Sequence, residues 1–175
     1  MAAVCYVLDC EALSRAALGD PGMKARLKDA HRANIRVLTS SMTLIEAYHD
    51  RIRRAEWNWA MSRIVVEPVT KEVADEAIGL LADTGLHGHE YAIDAALAVI
   101  AGRQRGRVVV LTSDEDGMGK LCGPEVLVRG LQERTRRRGT SRPAGAPSPL
   151  CARVRGHAAA ATAPPPRRRG RSPVE

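Results

Sequence analysis

Apolar residues along this chain follow two spacings, one typical of buried strands and one typical of amphipathic helices. Five continuous, mostly β-prone runs predict strands over 4–8, 35–39, 64–67, 107–111 and 125–128. Between them, helical spacing and capping residues predict helices over 11–18, 21–32, about 41–54, 71–84 and 87–101. Strands that alternate with helices indicate an α/β layer fold around a mainly parallel sheet.

This pattern stops near residue 131, where the composition changes. Residues 1–131 hold 16 Lys and Arg against 18 Asp and Glu, a net charge of −2. Residues 132–175 hold 11 Arg against 2 Glu, a net charge of +9, together with seven of the ten prolines. They contain no Ile, Met or aromatic residue, so they cannot bury enough apolar area to offset the entropy lost on ordering. We therefore expect one folded domain over 1–131 and a disordered basic extension over 132–175.

Composition excludes several classes of protein. No segment reaches the roughly 18 apolar residues that a membrane span needs, and no secretory signal is evident, so we expect no membrane contact and a cytoplasmic location. The four cysteines form no C-x-x-C pair, which argues against a zinc site or a disulfide scaffold. Aromatic residues make up only 3% of the chain, which disfavours a platform for stacking bases.

Several acidic residues lie at the ends of predicted buried strands or inside predicted apolar helices. Asp9 directly follows the first strand, and Asp114 and Asp116 follow the strand over 107–111. Glu46 and Asp94 lie inside apolar helical segments, and Asp94 has no Lys or Arg within one turn. In open parallel sheets, ligands bind outside the carboxyl ends of the strands, which is where two of these acidic segments are expected.

A carboxylate in an apolar helix is costly unless it is paired or binds a metal. Several carboxylates brought together also repel one another, and a divalent cation removes that penalty. Mg²⁺ and Mn²⁺ prefer oxygen ligands. The pattern therefore favours a carboxylate-only metal centre.

The order of these motifs resembles that of the PIN-domain nucleases, and most of all the VapC toxins of bacterial toxin–antitoxin pairs. The resemblance covers roughly residues 4–128 and lies in Asp9 after a strand, Glu46 on a helix, and the segments IDAALA at 93–98 and LTSDED at 111–116. It implies a PIN-like three-layer α/β/α fold. Two departures stand out, since Cys10-Glu11 replaces a small hydroxyl or Asn, and Gly117 replaces a second acidic residue.

The same resemblance implies a Mg²⁺-dependent endoribonuclease toxin that hydrolyses RNA phosphodiester bonds with metal-activated water, Mn²⁺ being a possible substitute. Asp9, Asp94 and Asp116 would be metal ligands, Asp114 would complete the acidic ring, and Glu46 would position or deprotonate the water. The implied partners are an RNA substrate, a cognate VapB-like antitoxin and a second copy of the chain.

Structural roles remain open for some of these residues. Asp9 is also a good N-cap for the helix that follows it, Glu46 could face solvent, and one of Asp114 and Asp116 could be a loop cap. Glu11, Asp50 and Glu115 lie close to the site in sequence and are expected to be solvated.

Two other functions stay open. One is a non-catalytic nucleic-acid-binding protein that uses its basic tail, and the other is a different acidic-pocket Mg²⁺ phosphoesterase. The first alternative predicts binding without metal and no loss on Asp94→Asn.

Overall fold

The structure is a computed structural model that describes residues 3–131. This range contains five strands and seven helices: β1 Val4–Leu8, α1 Cys10–Leu18, α2 Pro21–Arg32, β2 Arg36–Ser40, α3 Ser41–Ala47, α4 Arg54–Met61, β3 Val65–Glu67, α5 Lys71–Thr84, α6 Gly88–Gly102, β4 Arg107–Thr112, α7 Glu115–Leu121 and β5 Val126–Gly130. The predicted basic tail, 132–175, lies outside the described residues, and the domain boundary at 131 stays a prediction.

The five strands form one sheet in the order β3-β2-β1-β4-β5, and every neighbouring pair is parallel. β1 is central and pairs with β2 on one side and with β4 on the other. In the second pairing, Leu8 lies opposite Leu111, so β1 and β4 end within one residue of each other. The mainly parallel sheet predicted from the sequence is confirmed, and here it is wholly parallel.

Helices cover both faces of the sheet, which confirms the three-layer α/β/α arrangement. Adjacent residues of β1 point to opposite faces, as the two-residue period of a strand requires. Val7 belongs to a core with residues of α5, α6 and α7, whereas Leu8 belongs to a core with residues of α1, α2 and α4. Both side chains are fully buried. Ala, Leu, Val and Ile dominate the two cores.

Local sequence signals set most helix boundaries. The side chains of Asp9, Asp20, Ser40 and Thr70 each accept a hydrogen bond from a backbone N–H in the first turn of the helix they precede. Gly85 ends α5 with φ = 66°, a left-handed conformation that glycine adopts at little cost.

Two predictions about the helices need correction. The single helix expected over about 41–54 is wrong, because α3 ends at Ala47 and a separate α4 begins at Arg54. The break lets both helices pack against α1, with Ala47 and Ala60 fully buried. The short helix α7, over Glu115–Leu121, was not predicted.

Among the helices of residues 3–131, none has both the length and the apolar character needed to cross a membrane.

Candidate active site

The chain changes direction across the sheet between β1 and β4. From β1 it builds outward through β2 and β3, and it then returns to place β4 on the other side of β1. Such a switch point leaves a crevice beyond the carboxyl ends of the two strands, because the connections from them leave in opposite directions. Asp9 follows β1 and Ser113-Asp114 follows β4, so both acidic segments lie at this crevice.

Asp9 links the two segments through hydrogen bonds. Its Oδ2 accepts a hydrogen bond from the Ser113 backbone N–H at 3.1 Å, and its own N–H donates to the Leu111 carbonyl at 3.1 Å. Its Oδ1 accepts from the Ala12 N–H at 2.7 Å and so caps α1. The capping role left open by the sequence is therefore real, and it is compatible with a role at the crevice.

Burial dominates the electrostatics of Asp9, whose exposed fraction is 6%. Loss of hydration raises its pKa from 3.8 to about 6, and the nearby charge of Glu11 acts in the same direction. Hydrogen bonds from the Thr112 hydroxyl and from the backbone N–H groups of Ala12 and Ser113 limit the increase in pKa. A neighbouring cation would favour the charged form of this carboxyl group.

Asp114 and Asp116 are both exposed at the start of α7. Asp114 is the N-cap, and its Oδ1 accepts a hydrogen bond from the Gly117 N–H at 2.9 Å. Its own N–H donates to Thr112 Oγ1 at 2.9 Å, which fixes the turn after β4. Asp114 is thus the cap of this pair, and Asp116 lies in the first turn of the helix.

Glu46 and Asp94 are both half-buried, on α3 and α6. α3 begins at the carboxyl end of β2, next to the crevice, so Glu46 lies one to two turns from that edge. Glu46 is therefore neither fully exposed to solvent nor fully buried.

Asp94 lies on the side of α6 that meets α7. Burial is the main cause that raises the pKa of Cys122, at the end of α7, to about 11, and the charge of Asp94 adds to it. Gln104 lies just beyond the end of α6, and Arg36 lies at the start of β2. Arg36 Nη1 donates a hydrogen bond to Gln104 Oε1 at 3.0 Å. Asp94 precedes Gly102, the last residue of α6, by eight residues, ~12 Å of helix. Asp94 therefore lies about two turns of helix from the end of α6 that is next to the start of β2.

The helices that carry or follow the predicted site residues form a continuous packed group. α3 packs against α1 and α6, and α6 packs against α7. The structure thus joins Asp9 to Ser113, the residue before Asp114, and places Glu46 and Asp94 on helices of the same packed group. The roles assigned to Asp9, Glu46, Asp94, Asp114 and Asp116 stay predictions.

Glu11 is a residue that sequence reasoning assigned wrongly. It was expected to be solvated, but its exposed fraction is 5%. Its Oε1 accepts a hydrogen bond from Arg15 Nε at 2.8 Å, while its buried Oε2 has no hydrogen-bond partner within residues 3–131. The pair with Arg15 was visible in the sequence as an i,i+4 spacing, but the burial was not. Asp50 and Glu115 are exposed, as expected.

The donor groups at the crevice suit a hard divalent cation in chemistry. Asp9 and Glu11 offer carboxylate oxygens, the ligands that Mg²⁺ prefers, and the unpaired Oε2 of Glu11 lies close to another buried acid. Within the described range, no three His, Cys, Asp or Glu side chains are arranged as a coordination group. Mg²⁺ with few protein ligands and several waters is compatible with both observations.

Comparison with known proteins identifies the fold. No protein-family model matches the chain, and neither does any curated protein. Among solved structures, the chain is similar to one in VapBC2 from Rickettsia felis bound to a DNA fragment from their promoter. The two chains are 13% identical with a TM-score of 0.54, over 73% of this chain and 99% of the other. This similarity confirms the PIN-like α/β fold predicted from the sequence.

Proposed function

We propose that this protein is a Mg²⁺-dependent endoribonuclease and the toxin of a toxin–antitoxin pair. The observation that carries the proposal is the hydrogen bond from the Ser113 N–H to Asp9 Oδ2, which joins two acidic segments at the switch point of a parallel sheet. The second support is the similar fold of a chain in the Rickettsia felis VapBC2 complex.

In this proposal, Asp9, Asp94 and Asp116 would hold the cation, and Asp114 would complete the acidic ring. Mg²⁺, when bound, lowers the pKa of the attacking water and offsets charge on the phosphate. Glu46 orients that water or takes its proton. The water oxygen bonds to phosphorus in line with the bond to the 3′ oxygen. That bond breaks, and the 3′ oxygen takes a proton from solvent, which gives a 5′-phosphate and a 3′-hydroxyl. No nucleophilic side chain is needed.

Protein partners are proposed on the apolar surface of α3. Met42, Ile45 and Tyr48 are 40%, 72% and 63% exposed and recur every three residues. A partner that covers this stripe would remove its apolar surface from water, which favours binding. We propose that an antitoxin or a second copy of this chain covers this stripe, in agreement with the toxin–antitoxin pair proposed above.

The decisive experiment is cleavage of a labelled RNA pool by the full chain with Mg²⁺ or Mn²⁺, with EDTA, and by Asp9→Asn and Asp94→Asn. Cleavage that needs the cation and falls at least 100-fold in both variants supports the proposal. Glu125→Gln, an exposed acid in the loop before β5, is the matched control and keeps full activity.

Three results would reject the proposal. Cleavage that continues at the same rate after rigorous chelation excludes metal dependence. RNA binding without cleavage, unchanged in Asp94→Asn, indicates instead the non-catalytic nucleic-acid-binding protein. Hydrolysis of small phosphate esters but not of RNA indicates the other phosphoesterase.

A further inference from the structure

Among residues 3–131, the helices leave one face of the sheet partly open over β4 and β5. Side chains of alternate residues point to it, among them Tyr6 of β1, Val109 of β4 and Leu127 of β5, which lie side by side in the strand register. They form the apolar floor of a cavity of about 400 Å³.

Three arginines line this cavity. Arg107 and Arg129 extend from the same face of β4 and β5, and Arg26 comes from α2. None of the three forms an ion pair within residues 3–131, and no acidic residue of that range lines the cavity. Three unpaired cations around one concave surface are unexpected in a domain whose net charge is −2. The charge of the groove therefore complements a polyanion.

The groove also has a direction. Arg107 pairs in register with Val4 at the start of the strands, and Arg129 pairs with Leu111 near their ends. Four residues of strand separate the two levels, ~13 Å. At the ~3.4 Å per charge of a stacked strand, this distance spans roughly four phosphates. The chain beyond Leu111 leads directly to Ser113 and Asp114, so the groove ends beside the candidate active site.

We propose that the arginine groove, formed by Arg26, Arg107 and Arg129 over the floor of Tyr6, Val109 and Leu127, binds the backbone of single-stranded RNA. The arginines neutralise phosphates without reading sequence, and the apolar floor contacts sugars and one base at Tyr6. This inference rests on the proposed function for the identity of the polyanion. An acidic protein segment is the competing occupant, but it gives no reason for the groove to end at the carboxylates.

The test measures affinity rather than cleavage. A fluorescein-labelled 12-nucleotide oligouridylate is titrated with the full chain in EDTA at 50 to 200 mM KCl, and anisotropy is recorded. Replacing the three arginines by Ala should lower affinity at least tenfold at 100 mM KCl. It should also make the slope of log K against log salt shallower by about 2, since each phosphate on a single strand contributes about 0.7.

The matched control removes the same charge elsewhere. Arg51, Arg54 and Arg105 are exposed, have no ion-pair partner within residues 3–131 and lie outside the cavity. Their triple replacement by Ala should change the slope by less than half as much. A groove variant with three Lys should keep the wild-type slope, which separates loss of charge from loss of folding.

Equal effects of the two Ala triples would overturn the proposal. So would unchanged RNA affinity in the groove variant together with lost binding of a labelled oligoglutamate, because the groove then takes an acidic segment. Groove-dependent RNA binding without Mg²⁺- or Mn²⁺-dependent cleavage leaves this inference standing and rejects the proposed nuclease. Metal-dependent cleavage, with RNA affinity that does not change in the groove variant, supports the proposed nuclease and rejects the arginine groove as its RNA-binding site.

Discussion

The carboxyl edge of the sheet and the arginine groove differ in both charge and exposure. The edge carries buried acidic side chains, and the groove carries basic side chains that are open to solvent. At the edge, Asp9 and Glu11 are almost completely buried, and backbone N–H groups and Arg15 compensate most of their oxygens. In the groove, Arg107 and Arg129 are exposed and unpaired within the described residues. Buried charges must be held in place because desolvation is costly, whereas exposed charges need no partner. The edge is therefore suited to chemistry on one group and the groove to loose, sequence-independent binding.

The largest expected effect is on kcat, and it should separate catalysis at the carboxyl edge from RNA binding in the groove. Glu46→Gln should lower kcat 10²- to 10⁴-fold, since it removes the proposed base, and leave RNA affinity in EDTA within twofold. Arg107→Ala should do the reverse, raising KM severalfold with kcat nearly unchanged. Steady-state cleavage of one labelled RNA measures both parameters, with Glu90→Gln, an exposed acid on α6, as the control. A fall in kcat from Arg107→Ala equal to that from Glu46→Gln would contradict the division.

The fold was more predictable from the sequence than the environment of the site. Strands buried on both faces leave continuous apolar runs, so β1 and β4 were found, and with them the meeting of the segments that follow these strands, where Asp9 contacts Ser113. α7 was missed because Gly117 and Gly119 weaken the helical signal, which the N-cap and the buried Met118 restore in the structure.

Burial of polar groups depends on contacts between distant segments, which spacing does not encode. Glu11 carries the same local signal as any exposed Glu in a first helical turn, and only the packing around α1 decides that it is enclosed. The openness of the sheet face over β4 and β5 is equally invisible in the alternation of their residues. Charge and apolar pattern predicted which strand ends meet, not which side chains lose water.

The second effect concerns the pH dependence of stability at the edge. The pKa of Asp9 is near 6 in the folded protein and near its ordinary 3.8 when unfolded, so between these values only the folded state holds the proton. Stability of chelated protein should therefore fall as pH rises from about 4 to about 6. At 1.36 kcal/mol per pKa unit, Asp9 contributes ~3 kcal/mol to this loss.

Urea denaturation in EDTA at several pH values measures this contribution. The difference between wild type and Asp9→Asn isolates it, because other titrating groups cancel. Saturating Mn²⁺ should flatten the wild-type profile, since the cation favours the charged carboxylate. Parallel pH profiles for the two proteins in EDTA would show that Asp9 titrates normally and that the edge is no more desolvated than the groove.

A smaller effect tests whether the buried Glu11 belongs to the cation site. Glu11→Gln keeps the size of the side chain and an oxygen for Arg15, but it removes the charge beside Asp9. We expect the affinity for Mn²⁺, measured by calorimetry without RNA, to fall about tenfold, or about 1.4 kcal/mol. Glu125→Gln should leave it unchanged. Equal affinities for wild type and Glu11→Gln would make Glu11 a structural partner of Arg15 alone.

The smallest expected effect lies where the two regions meet. Gly130 lines the groove, and a Cβ atom built there would come within 2.3 Å of Glu115 Oε1, at the start of α7. Because Glu115 is exposed and flexible, Gly130→Ala should displace its carboxylate at a cost of about 0.5 kcal/mol or less and leave cleavage unchanged.

Gly117→Ala gives the informative contrast. Its Cβ would lie 2.4 Å from Asp114 Oδ2, whose partner oxygen caps α7, so the substitution disturbs a predicted site residue. The gain in helix propensity from Gly to Ala, ~1 kcal/mol, should offset the weakened cap, and stability should change little. Cleavage should nevertheless fall several-fold more than in Gly130→Ala. Equal cleavage by the two variants at similar melting temperatures would assign Asp114 to the cap alone and leave Asp116 as the acid that α7 supplies.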